Sequence, residues 1–140
     1  MLRYTFESAL TIHEIKALYG AAGLTHYLTD VAETARGIAN STLLTARDDD
    51  QLVGVIRGVS DMHTIVFIQD LIVLPDYQHQ GIGHELLAQF DDYFKQVARI
   101  VVVCDSPELR AFYARAGYLP GDETAATTFI RPRRLLEPKY

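Results

Sequence analysis

One stretch of this chain restricts its fold more than any other: an apolar segment that leads, through a polar loop with two glycines, into an amphipathic helix. The apolar segment covers residues 64–74, and Gly81 and Gly83 follow it. From residue 82 to residue 97, apolar side chains recur every three or four positions, which is typical of a helix with one buried face. This order predicts a strand, a tight loop and a helix, and therefore a fold that combines a sheet with helices.

Upstream of this segment, the pattern predicts a strand, two helices and a β-hairpin. Apolar and polar residues alternate over residues 2–6, which is typical of a strand with one buried face. Thr11 and Glu14 have the spacing of a capping box, which begins a helix. We expect Gly20 or Gly23 to end that helix. The other predicted elements are a helix over 30–39 and hairpin strands at 43–46 and 52–56 around an acidic turn.

Downstream of the long helix, the pattern predicts a strand, a helix and a final strand. The short apolar run at 100–104 indicates a strand covered on both faces, with Cys104 as a buried thiol. Ser106 precedes a proline and can cap a helix, which Gly117 ends. Residues 127–131 form the predicted last strand.

Length and composition indicate one globular α/β domain over residues 1–140, with a mixed, mostly antiparallel sheet flanked by helices. The chain is 49% hydrophobic and 22% charged. Its net charge of −5 argues against a nucleic-acid partner, and we interpret the basic cluster at 131–134 as a solvated tail. A single cysteine excludes an intrachain disulfide, and no apolar stretch can span a bilayer. We expect a cytoplasmic protein without membrane contact.

The junction with two glycines is suited to binding phosphate, because the first amides of a helix are unpaired and glycine has no Cβ to hold a phosphate away. A P-loop is excluded, since no Gly-Lys-Ser/Thr follows. A dinucleotide-binding loop would use Gly81 and Gly83, with Asp105 placed to bind a ribose. Leu86 occupies the position of its third glycine. A nicotinamide-dependent oxidoreductase is therefore a weaker alternative.

Two motifs resemble the acyl-CoA-binding segments of the GCN5-related N-acetyltransferase (GNAT) family. Residues 78–83, Gln-His-Gln-Gly-Ile-Gly, resemble the family loop Gln/Arg-x-x-Gly-x-Gly/Ala. Residues 112–118, Phe-Tyr-Ala-Arg-Ala-Gly-Tyr, are similar to the segment that closes the same cofactor groove. The resemblance implies the GNAT fold and an acetyl-CoA-dependent enzyme that acetylates a primary amine of a small molecule or peptide. The alternative is a non-catalytic acyl-CoA-binding regulatory module, because His79 and Gln80 stand where the family often has glycine and a basic residue.

The resemblance also implies which positions hold the cofactor. Backbone amides of the loop and of the helix start would bind the diphosphate of coenzyme A. Main-chain groups of the preceding strand would pair with the pantetheine arm like an added strand. The implied cofactor-binding positions are Leu71, Ile72, Val73, Gln78, His79, Gln80, Gly81, Ile82, Gly83, His84, Ser106 and Phe112.

For catalysis, the resemblance implies that Tyr113 protonates the sulfur of coenzyme A. The polar pair Gln69-Asp70 in the predicted strand resembles an acidic pair of diamine-acetylating relatives, which makes Asp70 the candidate base that acts on the amine. Asp61, His63 and water are the alternatives for that base. For Asp61 and His63, a role as ordinary turn residues is the stronger explanation.

Three further expectations concern the surroundings of the site. Tyr19, Tyr27 and Tyr118 are candidates to line an acceptor pocket beside the turn at 58–64. His13 and His26 have no partner at metal-ligand spacing, so we predict no metal. Strand edges give a physical route to a homodimer.

Overall fold

The structure is a computed structural model that describes residues 1–131. Five strands form one sheet in chain order: β1 (Leu2–Glu7), β2 (Thr42–Asp48), β3 (Gln51–Ser60), β4 (Ile65–Val73) and β5 (Arg99–Val102). The first three strand pairs are antiparallel, and β4 and β5 are parallel. The α-helices are α1 (Ile12–Ala21), α2 (Val31–Ala39), α3 (Ile82–Tyr93) and α4 (Pro107–Arg115). The mixed, mostly antiparallel sheet with helices is therefore confirmed.

The chain divides into two compact units, Met1–Val102 and the residues from Val103 onward. The first unit holds the whole sheet and α1 to α3. The second holds α4 and a 3₁₀ turn at Gly121–Glu123.

Helix α1 begins and ends as its local sequence dictates. The Thr11 hydroxyl accepts a hydrogen bond from the Glu14 amide at 3.0 Å, and the Glu14 carboxylate accepts one from the Thr11 amide at 3.1 Å. This is the predicted capping box. The C-cap is Ala22, and Gly23 follows it at φ +77°, a backbone conformation that favours glycine. Gly23, and not Gly20, is the residue at which the helix ends.

The helices cover both faces of the sheet. Val55 of β3 and Ile72 of β4 belong to one buried cluster with the α1 residues Leu18 and Tyr19. A Cβ at the neighbouring Gly54 would point toward α3. Because adjacent strand residues face opposite sides, α1 and α3 lie on opposite faces of the sheet.

Strand β4 contains a β-bulge at Gln69. Arg57 of β3 pairs with Asp70, whereas the next residue, Gly58, pairs with Ile68, so Gln69 has no partner of its own in β3. The polar pair therefore does not interrupt the strand. It marks the place where the strand bends and where side-chain alternation is reset.

Two outer strands are less covered than the sequence predicts. Leu2 and Phe6 of β1 are 38% and 42% exposed, so the predicted buried face of that strand is wrong. β5 ends at Val102, its residues are exposed or half-buried, and Cys104 is exposed. Both strands lie at sheet edges and have one neighbour each, which leaves less covering structure than a central strand has.

Two further predictions on element ends fail. Residues 127–131 form no strand in the described part of the chain, and the exposed Phe129 shows that an apolar run without a pairing partner does not make one. α3 stops at Tyr93 instead of continuing to Val97, although Phe94 just beyond it is buried. Residues 132–134 of the predicted basic tail lie outside the described residues.

Candidate active site

The last part of β4 has a free edge. The parallel pairing with β5 runs only from Ile65 to Ile68, so residues 69–73 pair with no β5 residue. The Leu74 amide donates to Val53 of β3, and strand alternation then directs the main-chain groups of Leu71 and Val73 away from β3. A free strand edge can bind an extended chain by main-chain hydrogen bonds. This is the arrangement that the predicted pantetheine contact requires.

The glycine loop places unpaired amides at the start of α3. Gly81 is the N-cap at φ +86°, and His79 also has a positive φ, of +63°. Within residues 1–131, the amides of residues 79–83 donate to no acceptor. A Cβ at Gly81 would meet no atom within 4 Å, so the space beside these amides is open. Outward donors at a helix N-terminus suit an anionic group.

Side chains of the loop fold back onto the backbone. The Gln78 amide group donates to the Val73 carbonyl at 3.0 Å, and that of Gln80 donates to the Asp76 carbonyl at 3.2 Å. The Tyr77 hydroxyl donates to Asp48 of β2 at 2.8 Å. These bonds hold the loop in shape and leave its amides to face solvent.

In the second unit, α4 carries the other predicted site residues. The Ser106 hydroxyl accepts from the Leu109 amide at 3.1 Å, so it caps the helix as predicted. Tyr113 is buried, and its ring centroid lies 5.3 Å from that of Phe112 and 5.4 Å from that of Tyr118. Tyr113 therefore packs edge-on against two aromatic neighbours.

The first unit contains a buried ion pair that joins three predicted residues. The Asp70 side chain is 4% exposed, and its Oδ2 accepts from the Tyr19 hydroxyl at 2.8 Å and from Nε of Arg57 at 2.5 Å. Its Oδ1 accepts from the Tyr27 hydroxyl at 2.8 Å. The structure thus brings together Asp70, Tyr19 and Tyr27. Sequence reasoning misses Arg57, although an arginine directly after the apolar run 52–56 was the available signal.

The groups that contact Asp70 have pKa values above their ordinary ones. Burial, the largest single influence, lowers the pKa of the Arg57 guanidinium, but the charge and hydrogen bond of Asp70 together with the nearby Tyr19 and Tyr27 outweigh it, so the pKa lies above its ordinary value. Burial, with the nearby Asp70 charge, raises the pKa of Tyr27 to about 12 and raises that of Tyr19 also. Both tyrosines are hydrogen-bond donors to a carboxylate whose two oxygens are occupied. The assignment of Asp70 as base stays a prediction.

Asp61 stabilises the turn between β3 and β4. Its carboxylate accepts hydrogen bonds from the amides of His63 and Thr64, at 2.9 and 2.7 Å, and from the Thr64 hydroxyl. The hydrogen bond from that hydroxyl and those from the amides hold the pKa of Asp61 well below its usual range. A carboxylate so stabilised is a weak base, which favours the turn interpretation of Asp61.

Two negative findings apply to residues 1–131. In this range, no three side chains of histidine, cysteine, aspartate or glutamate are grouped as metal ligands. The helices that are described are too short or too polar to cross a bilayer.

The combination of glycine loop, free β4 edge and α4 corresponds to a known family. The sequence model of the acetyltransferase (GNAT) family matches residues 10–118. The chain belongs to the GNAT acetyltransferase family. The matched range includes residues 78–83 and 112–118, which are the two motifs that resemble the family. It also includes the strands β2 to β5, but not β1.

Similar proteins agree with this GNAT assignment. A GNAT-family acetyltransferase from Streptococcus pneumoniae TIGR4 is 29% identical, with a TM-score of 0.83 over 96% of this chain and 99% of the other. An uncharacterized N-acetyltransferase of Gracilaria tenuistipitata var. liui is 25% identical over 91% of this chain and 72% of its own length. An aminoglycoside N-acetyltransferase in complex with CoA is 16% identical and shares the fold, with a TM-score of 0.70 over 95% of each chain.

Proposed function

We propose that this GNAT protein is an acetyl-CoA-dependent N-acetyltransferase that moves the acetyl group directly to a primary amine of a small molecule or peptide. The observation that carries the proposal is the row of unpaired amides at residues 79–83, which follows the free edge of β4 along the chain. An anion-binding helix start and an adjacent open strand edge match two neighbouring parts of an acyl-CoA, its diphosphate and its amide-containing arm.

Coenzyme A would be bound mainly by backbone. In this proposal the amides of residues 79–83 bind the diphosphate. The main chain of Leu71 and the amide of Val73 bind the pantetheine arm, because the Val73 carbonyl already accepts from Gln78. The CoA complex of the aminoglycoside N-acetyltransferase with the same fold supports this choice of cofactor. His79 and Gln80 add no fixed positive charge, so binding depends on hydrogen bonds and on the helix dipole more than on ion pairs.

The reaction is a single displacement. The neutral amine nitrogen bonds to the thioester carbonyl carbon, the carbon–sulfur bond breaks, and the thiolate takes a proton from the Tyr113 hydroxyl. The excess proton of the amine passes to water. Asp70 stays the alternative base, although its oxygens already hold Arg57, Tyr19 and Tyr27.

The test of this function is the substitution Tyr113→Phe. We expect it to lower kcat for acetyl transfer by about 100-fold, the usual effect of removing a general acid, and to leave the affinity for coenzyme A unchanged. Thiol release from acetyl-CoA is measured with a diamine, an aminoglycoside and a peptide with a free N-terminal amine. Tyr93→Phe, which changes an exposed tyrosine on α3, is the control and keeps full activity.

Two results would contradict the proposal. If coenzyme A binds but no amine in the panel increases thiol release, the chain is the acyl-CoA-binding module instead. If NAD, and not acetyl-CoA, raises the thermal unfolding temperature, the nicotinamide alternative is correct.

A further inference from the structure

The Tyr27 hydroxyl links the buried ion pair to an exposed side chain of β4. Its oxygen lies 2.8 Å from Oδ1 of Asp70 and 2.8 Å from Nε2 of the exposed Gln69. Neighbouring residues of a regular strand point to opposite faces and cannot both reach one atom. The bulge at Gln69 removes this restriction, which is why both side chains meet Tyr27.

The donor and acceptor roles of the side chains fix the direction of each hydrogen bond that links Arg57 and Asp70, through Tyr27, to Gln69. Arg57 is a donor only, and the Asp70 carboxylate, whose Oδ2 accepts from Arg57 and Tyr19, is an acceptor only. The Tyr27 proton therefore points to Asp70, and the Tyr27 oxygen must accept from the NH₂ group of Gln69. This orients the Gln69 amide, so its Oε1 is directed away from Tyr27. Within residues 1–131 that oxygen has no hydrogen-bond partner.

Arg57 is itself held in place. Its Nε bonds to Asp70, and its NH1 donates to the Ser41 hydroxyl at 3.0 Å. Its guanidinium carbon lies 5.8 Å from the centroid of the Tyr27 ring, on the ring face. Because the buried ion pair has several further contacts, its side chains keep one geometry. The orientation that they impose on the Gln69 amide is therefore fixed as well.

We propose that Oε1 of Gln69 accepts a hydrogen bond from the acceptor amine and that Tyr27 is the positioning residue that aims it. The inference rests on the proposed function, because it takes the free edge of β4 as the place where the thioester lies. Gln69 is the first residue of that edge, immediately after the last pair with β5. A neutral oxygen in this position binds the N–H of an amine without adding a charge that would favour the unreactive ammonium form.

The experiment compares Tyr27→Phe with Tyr19→Phe. Each variant loses one hydroxyl from Asp70, but only Tyr27 also contacts Gln69. With the panel amine that turns over fastest, we expect Tyr27→Phe to raise KM for the amine about 5- to 10-fold, the usual effect of one lost hydrogen bond, with kcat nearly unchanged. Because only Tyr27 is hydrogen-bonded to Gln69, Tyr19→Phe raises KM less than Tyr27→Phe does. Gln69→Met, which removes Oε1 from an exposed side chain, raises KM like Tyr27→Phe.

A spectroscopic readout tests the orientation without any substrate. The side-chain NH₂ signal of Gln69, assigned by its loss in Gln69→Met, moves toward that of a free glutamine in Tyr27→Phe and stays in place in Tyr19→Phe. Equal KM values in wild type, Tyr27→Phe and Gln69→Met, with normal turnover, overturn this inference and leave the proposed function intact. A lack of turnover with every panel amine overturns the proposed function, and this inference with it.

Discussion

Arg47 shows how a single side chain holds distant parts of the first unit together. Its Nε donates to Glu7 of β1 at 2.8 Å, and its NH1 donates to Glu14 of α1 at 2.6 Å. Burial, the largest single influence, raises the pKa of both carboxyls, but the hydrogen bonds and charge of Arg47, with the hydrogen bonds from Thr45 to Glu7 and from Thr11 to Glu14, together outweigh it and lower both pKa values. The sequence shows that Glu14 caps α1, but it cannot show this partner, because 33 positions separate the two residues.

We predict that Arg47→Met removes an acid-sensitive part of the stability. Because the folded-state pKa values of Glu7 and Glu14 are lowered, their stabilisation is complete above about pH 4.3, the unfolded value, and is lost as the pH falls through the folded values. The variant should lose about 2 kcal/mol at pH 7, and the difference from wild type should shrink near pH 3. Urea unfolding at both pH values measures it.

The control is Arg36→Met, which breaks the ion pair between Arg36 and Glu33 on the surface of α2. It should change stability little at either pH, since exposed ion pairs contribute little. A constant difference between Arg47→Met and wild type from pH 7 to pH 3 would contradict the account.

Local sequence signals predict where a helix begins, but they do not predict how far a helix or strand is buried by its neighbours. The start of α1 depends on Thr11 and Glu14, which are three residues apart, and the sequence alone predicts it. The exposure of Cys104 and Phe6 depends on which strands lie at the sheet edges, and this is decided by long-range pairing. The bulge at Gln69 has the same origin, since it exists only relative to β3.

Close packing of α3 against the sheet gives a prediction on two glycines. A Cβ at Gly58 would lie 3.0 Å from the Phe67 carbonyl oxygen and 3.0 Å from the Phe90 ring, so Gly58→Ala should destabilise the protein by about 2 kcal/mol. Gly37, exposed in the middle of α2, would meet only Arg57 at 3.9 Å. Gly37→Ala should stabilise the protein by about 0.5–1 kcal/mol. Urea unfolding compares the two, and a similar effect of both variants would refute the packing argument.

At the scale of the whole chain, the sequence alone predicts the family and the glycine loop, because the motifs that indicate them are short and contiguous. The buried network of Arg57, Asp70 and the two tyrosines is not predictable in this way. It draws one residue each from α1, the 3₁₀ turn at Thr25–Leu28, β3 and β4, which meet only in the folded chain. Sequence reasoning therefore finds the expected cofactor side of the site more completely than its acceptor side.

The central claim is that the loop amides beside Gly81 bind the diphosphate of coenzyme A. The variant Gly81→Ala tests this claim, and Gly23→Ala is its matched control. Both glycines have a positive φ and no atom within 4 Å of an added Cβ, so both variants carry the same backbone strain. Only Gly81 belongs to the loop whose amides are proposed to bind the diphosphate.

Isothermal titration calorimetry with coenzyme A is the direct measurement. We predict that wild type and Gly23→Ala bind with the same Kd and that Gly81→Ala binds roughly tenfold more weakly or worse. An absence of binding heat with wild type, or equal affinities of Gly81→Ala and Gly23→Ala, would contradict the claim.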